Sequence, residues 1–164
     1  MTGIGEHTDP NRPRASVRLM GAWGAGSFEN DAASDWAADL ADGGDVAMVR
    51  DTLTTAATCP GDEYLEADEA AEALAAAEVV AAAAGRPLRA VAMGSSGPHA
   101  LAWAAAHPGA GTPELVELAL AAVERVDGAE SELCELWLAE GTAGPTASRE
   151  WFADVEDLRA RLAG

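Results

Sequence analysis

The chain has 164 residues, enough for one domain that buries roughly two-thirds of the surface its unfolded form exposes, so size demands neither a disulfide nor a structural metal. Its 28 acidic residues against 10 basic ones give a net charge of -18, which favours solubility and repels nucleic acid and anionic membrane surfaces. All the basic residues are arginine, which removes Schiff-base and P-loop lysine chemistry and, with the abundant alanine, suits a high-GC bacterial genome of the actinobacterial kind.

Cys59 and Cys134 have no CxxC partner and no histidine at ligand spacing, so they read as small reduced core residues of a cytoplasmic protein. The arginine-bearing N-terminus lacks an apolar core, and no run approaches the length of a membrane span, so neither a secretory signal nor a transmembrane helix is expected. Residues 1–19 are polar and proline-interrupted (Asp9-Pro10-Asn11-Arg12-Pro13-Arg14), which predicts a disordered extension ahead of a single helical domain over 20–164, with Met20 a second candidate start.

The domain opens on the glycine-rich Gly21-Ala22-Trp23-Gly24-Ala25-Gly26-Ser27-Phe28 and enters a helix near Asn30, a good cap followed by Asp31 at the positive helix end. Phe28, Ala32, Trp36 and Leu40 recur every four residues, and Asp42-Gly43-Gly44 stops the run. A second helix is predicted over Asp45–Thr58, with Val46, Val49 and Leu53 on one side and Cys59-Pro60-Gly61 as its end. An alanine-rich third helix is predicted from Tyr64 to Ala84, with Gly85 at its C-cap and Pro87 beyond. Between Arg86 and Gly97 the periodicity fails. Residues 88–93 are expected as an irregular, at most strand-like loop, since a lone strand finds no partner.

Pro98 starts a short helix through Trp103 to His107, closed by Pro108-Gly109. Thr112-Pro113-Glu114 then caps a helix with Leu115, Ala119, Ala122 and Val126 on one stripe. Ser131 with Leu133, Leu136 and Trp137 predicts a short helix ending at Gly141. The last helix carries Trp151, Val155, Leu158 and Leu162 on its apolar face, with Arg159 and Arg161 where they suit the dipole, and the domain should not fold without it. Short connections among these segments predict an all-α fold, a bundle of six or seven helices.

The opening stretch Gly21 to Trp36 resembles a bacterial family, the domain of unknown function 4259. So do Glu63-Tyr64-Leu65, Ala77-Glu78-Val79-Val80-Ala81, Ser131 to Trp137 and the closing Trp151 to Leu162. The resemblance carries over no activity or catalytic residue. Residues 88–97 depart from the family's pattern.

Few constellations carry chemistry. The glycine loop before a helix could cradle a phosphate, but no strand precedes it, no cation lies in it, and Glu29 and Asp31 repel an anion, so a packing loop for Trp23, Phe28 and Trp36 built on Gly21, Gly24 and Gly26 is favoured. Glu78 falls four residues after Leu74 in a run of alanine and valine, where a carboxylate needs a partner or a raised pKa. Asn30, Asp31, Asp35 and Glu78 form the candidate polar site. Asp35, Asp39, Asp42 and Asp45 lack calcium-loop spacing, with Val46 at the position where such a loop needs its glutamate. His7, His99 and His107 form no HExxH, and Gly94-Ser95-Ser96-Gly97 is one residue short of a nucleophile elbow. No metal or cofactor is predicted.

The charge favours a non-enzymatic domain that binds a basic partner protein, in the manner of an immunity protein, an antitoxin or a DNA mimic. The rival is a small-ligand-binding or metal-dependent enzyme built on Asn30, Asp31, Asp35 and Glu78. Neither nucleic acid nor membrane is expected as a partner, and the oligomeric state is left open.

Overall fold

Asn30 opens the first helix as its side chain predicts: its backbone is extended (φ -148°) and its Oδ1 accepts the N–H of Ala33 at 2.8 Å. In the computed structural model, which describes residues 24–89, 94–139 and 144–164, this helix α1 spans Asp31–Ala41 and buries Ala33, Trp36, Ala37 and Leu40. The next, α2 (Val46–Ala57), is capped by Asp45, which accepts from Met48 N–H at 3.0 Å, and buries Val49, Leu53 and Ala56. There follow α3 (Ala67–Ala83), α4 (Gly97–Ala106), a single 3-10 turn (Pro108–Gly111), α5 (Pro113–Val126), α6 (Glu132–Leu138) and α7 (Gly144–Ala163). No β-strand occurs among the described residues, and the all-α expectation holds with seven helices.

α3 is the axis of the bundle. It is buried on every face from Ala73 to Ala81, and all six other helices touch it. Alanine makes this possible, because a helix that presents only methyl groups lets its neighbours approach closely while keeping high helix propensity. At its C-terminal end the approach is tighter still: a Cβ on Gly111 would stand 2.5 Å from the Ala83 carbonyl carbon, so the 3-10 turn needs glycine there. Large side chains arrive from outside, among them Phe28, Leu40, Leu53, Leu115 and Leu158, all fully buried. Each contributes on the order of 1.5–3 kcal/mol.

Two boundaries differ from the sequence reading. α3 begins at Ala67 rather than Tyr64, because Leu65 is drawn into a parallel bridge with Ser131: its N–H donates to Glu130 O at 2.8 Å and its carbonyl accepts from Glu132 N–H at 2.9 Å. Two strong backbone hydrogen bonds to a distant segment outweigh extension of the helix by one turn. The α3 start is then capped from α6, where Glu132 Oε2 accepts the N–H of Ala67 at 2.9 Å. α6 ends at Leu138, and Gly141, its expected stop, lies outside the described residues. Leu88 and Arg89 have no regular secondary structure. The rest of the 88–93 segment also lies outside the description, as do the extension over 1–19, His7, Gly21 and Trp23.

Candidate functional site

The glycine-rich loop does hold an anion, and the anion is the chain's own. Gly26 N–H donates to Glu29 Oε2 at 2.8 Å, Glu29 N–H returns a bond to Gly26 O at 2.9 Å, and Gly24 N–H reaches Glu29 O at 3.3 Å. The Glu29 carboxyl lies so close over Gly24 that a Cβ there would overlap it. Of the N–H groups that could cradle a phosphate, that of Gly26 is thus taken up by the carboxylate of Glu29 and that of Gly24 by the Glu29 carbonyl. Phe28, at the end of the loop, is fully buried, and Gly94 packs on the Glu29 stem, where an added Cβ would stand 3.1 Å from Glu29 Cγ. Ser96 ties this second loop to α1 through a 2.6 Å hydroxyl contact with Ser34.

Beneath the loop lies the one buried ion pair of the described residues. Glu78 on α3 is 1% exposed, and Arg161 on α7 meets it with both terminal nitrogens, Nη1 to Oε2 at 2.8 Å and Nη2 to Oε1 at 3.0 Å. Ser27 Oγ donates to Oε1 at 3.2 Å. Arg161 also donates from Nε to Asp157 at 2.7 Å and from Nη1 to Arg86 O at 3.3 Å. Burial pushes the Glu78 carboxyl above the usual carboxylate range, opposed by the Arg161 and Ser27 bonds. The sequence placed Glu78 near the apolar face but gave Arg161 to the helix dipole. A cationic partner was within reach of argument, since a buried carboxylate is often paired and arginine supplies every cation other than histidine in this chain. Arg159 likewise crosses to Asp127 at 2.7 Å.

Outside this pair the carboxylates of α1 and the start of α3 meet around Glu72. Between Glu29 and Glu72 there are 13 acidic residues and a single arginine, Arg50. α1 and α3 bring Asp39, Asp68 and Glu69 around Glu72, whose carboxyl is pushed up by burial and then by those three charges. No arginine among the described residues offsets them. Asp154 on α7 is pushed up in the same way, by burial first and then by Asp157, Glu29 and Glu150.

A carboxyl whose folded pKa exceeds its unfolded one takes up a proton more readily in the folded state. Stability from Glu72 and Asp154 therefore grows as pH falls from neutral and is lost as pH rises through their folded values. The melting temperature is expected to rise between about pH 7 and pH 5, by about 2–4 °C for each 1 kcal/mol gained in a domain of this size. Glu72→Gln is expected to raise it at neutral pH and to flatten the slope. Calorimetry at the two pH values checks both, and a wild-type midpoint that falls on acidification would contradict the account.

The sequence-derived candidates are not drawn to a common point. Asn30 is committed to its cap, Glu78 has both oxygens engaged in the core, and Asp31 and Asp35 face solvent on α1. Asp42 and Asp45 stand at helix ends, and Asp39 joins the exposed face. His107 Nδ1 lies 2.8 Å from Trp103 O, with its ring stacked on the Trp103 indole at 4.0 Å, so its place is structural. Cys134 is buried in α6, whereas Cys59 is half-buried in the turn after α2. No group of three or more His, Cys, Asp or Glu side chains among the described residues is arranged to hold a metal. A recess of about 490 Å³ beside Trp137, Pro145 and Arg149 and another of about 360 Å³ between Arg86, Val116 and Leu120 are open grooves without histidine or cysteine in their walls.

The fold and these surfaces define a helical domain with a carboxylate cluster around Glu72 and a buried glutamate paired with an arginine. The model of the family described as domain of unknown function (DUF4259) matches residues 21–153, and the chain belongs to that family. No curated protein and no solved structure matches the chain. No helix among the described residues is long and apolar enough to cross a membrane.

Proposed function

We propose that the chain acts by binding a basic protein on the face built by α1 and the N-terminal half of α3, in an immunity-like or antitoxin-like manner. The observation that supports this is the crowding at Glu72, where Asp39, Asp68 and Glu69 stand close enough to disfavour its charge with no arginine to relieve them. Four carboxylates held together by a rigid helix pair carry a repulsion that a cationic partner removes on docking. The same field steers such a partner and speeds its association.

Two variants of equal net charge separate a defined face from mere acidity. One carries Asp39→Asn, Asp68→Asn, Glu69→Gln and Glu72→Gln, and the other Glu114→Gln, Glu117→Gln, Glu124→Gln and Glu150→Gln, all exposed away from that face. Each tagged chain is isolated from its own host at low salt beside the wild type. A basic protein should accompany the wild type and the second variant, leave as salt is raised, and be lost from the first. Equal capture by the two variants, or no basic protein with any of them, defeats the reading.

A further inference from the structure

Tyr64 and Leu138 are the two large hydrophobic side chains exposed among the described residues, at 44% and 63%. Glu135 stands next to both. The Tyr64 hydroxyl donates to Glu135 Oε2 at 2.7 Å, and Leu138 sits one turn beyond Glu135 on α6, at the spacing that makes helix side chains neighbours. The Leu65–Ser131 bridge joins the two segments, so the pairing belongs to the fold and not to a loose turn.

The surroundings of the ring are acidic. Glu135, Glu132 and Glu66 are the charges nearest the Tyr64 hydroxyl, and Asp62 and Glu63 precede it in an exposed turn. The neighbouring cation is turned away: Arg125 donates to the carbonyls of Cys59 (3.0 Å), Pro60 (3.2 Å) and Glu63 (2.7 Å). Beyond Leu138, Arg149 donates its Nε to Pro145 O at 3.1 Å. An aromatic ring and a leucine left in water beside Glu135, with Asp62 and Glu63 on the tyrosine side and Arg149 on the far side of the leucine, have the composition of an interface anchor, since charge steers a partner while a desolvated apolar contact holds it. A tyrosine face also accepts a guanidinium or ammonium group directly.

We infer that Tyr64 and Leu138 are the anchor of a docking surface for a basic segment in which an apolar side chain is flanked by arginine or lysine. The apolar side chain seats on Leu138 and the ring edge, and the cations meet Glu135, Asp62 and Glu63. This rests on the reading of the chain as a binder of a basic protein and adds where that partner is gripped.

Tyr64 is the sole tyrosine, so ring-labelled tyrosine gives the full chain one set of ring signals at the proposed anchor. The probes are two short peptides of equal charge, one with leucines between arginines and one with serines in their place. The arginine–leucine peptide should shift the Tyr64 signals saturably at low salt and bind about tenfold more tightly than its serine counterpart. Leu138→Ser, exposed and therefore expected to fold, should erase that tenfold advantage while leaving the far-ultraviolet circular dichroism unchanged. Unmoved Tyr64 signals, or equal binding of the leucine peptide by Leu138→Ser and wild type, overturn the anchor. If the anchor fails while host capture still depends on the α1–α3 carboxylates, the acidic-face reading stands alone. Loss of all basic-protein capture removes that reading whatever Tyr64 does with peptides.

Discussion

Arg161→Met is expected to destabilise the domain by about 3–5 kcal/mol, or roughly 6–20 °C in melting temperature, because it strands the Glu78 carboxylate in the core. Glu78 is 1% exposed and would keep only the 3.2 Å bond from Ser27. Protonation is its one escape, so the loss should be largest at high pH and shrink on acidification, as for any carboxyl whose folded pKa is raised. The double change Glu78→Met with Arg161→Met removes both charges and supplies apolar atoms of similar bulk. It should recover most of the loss and could exceed the wild type by about 1–4 kcal/mol. Denaturant titration of the two variants at two pH values is the check. A single-variant loss below about 1 kcal/mol, the scale of an exposed pair, would mean that water reaches Glu78. Capture of the basic partner by the double variant would place Glu78 among the residues that hold the fold and outside those that recognise a partner.

Two to three turns earlier on α7, Trp151→Ala is expected to cost about 3–5 kcal/mol, the range for a buried aromatic truncated to a methyl group. Trp151 is 3% exposed and stacks on Trp137 of α6, with centroids 6.0 Å apart and planes 12° from parallel. Phe152 meets the same indole edge-on at 4.8 Å. The indole is what joins α6 to α7, so its loss opens a void shared by both helices. Ser148 Oγ still reaches Trp137 O at 2.6 Å, a single bond that does not replace the buried area. Because Arg161 and Trp151 pin one helix at two separate points, the double variant should lose less than the sum if α7 leaves as a unit once either pin is removed. Strict additivity in denaturant titrations would show that the two points hold independently.

The local features were legible because each is decided within a turn or two of chain. Asn30, Asp45, Thr112 and Ser131 cap the helices that follow them, through bonds of their side chains to an N–H three residues on. The stripe of Trp151, Val155, Leu158 and Leu162 is buried as its spacing requires. Where reading failed, a distant segment had intervened. Tyr64 and Leu65 have nothing in their own neighbourhood that forbids helix, and α3 starts late because Glu130 and Glu132 offer backbone partners. Arg125 falls where a helix-end arginine suits the dipole, yet it ties the α2–α3 turn to the end of α5 through carbonyls that no pattern reveals.

The same division runs through the surface. Composition alone determined that the chain is acidic and that it has arginine but no lysine, and the order of residues marked Glu78 as a carboxylate that burial would force to take a partner or a raised pKa. Only the packing of α1 on α3 decided that Asp39 stands beside Glu72, only the Leu65–Ser131 bridge that Tyr64 stands beside Glu135, and only the return of α7 that Arg161 answers Glu78. Capping and amphipathic spacing act over a few ångströms along one segment and are written in its order. The choice of partner for a charge or a ring is made between segments, by whichever helices the burial of apolar surface brings together, and a charge pattern along the chain carries no record of that choice.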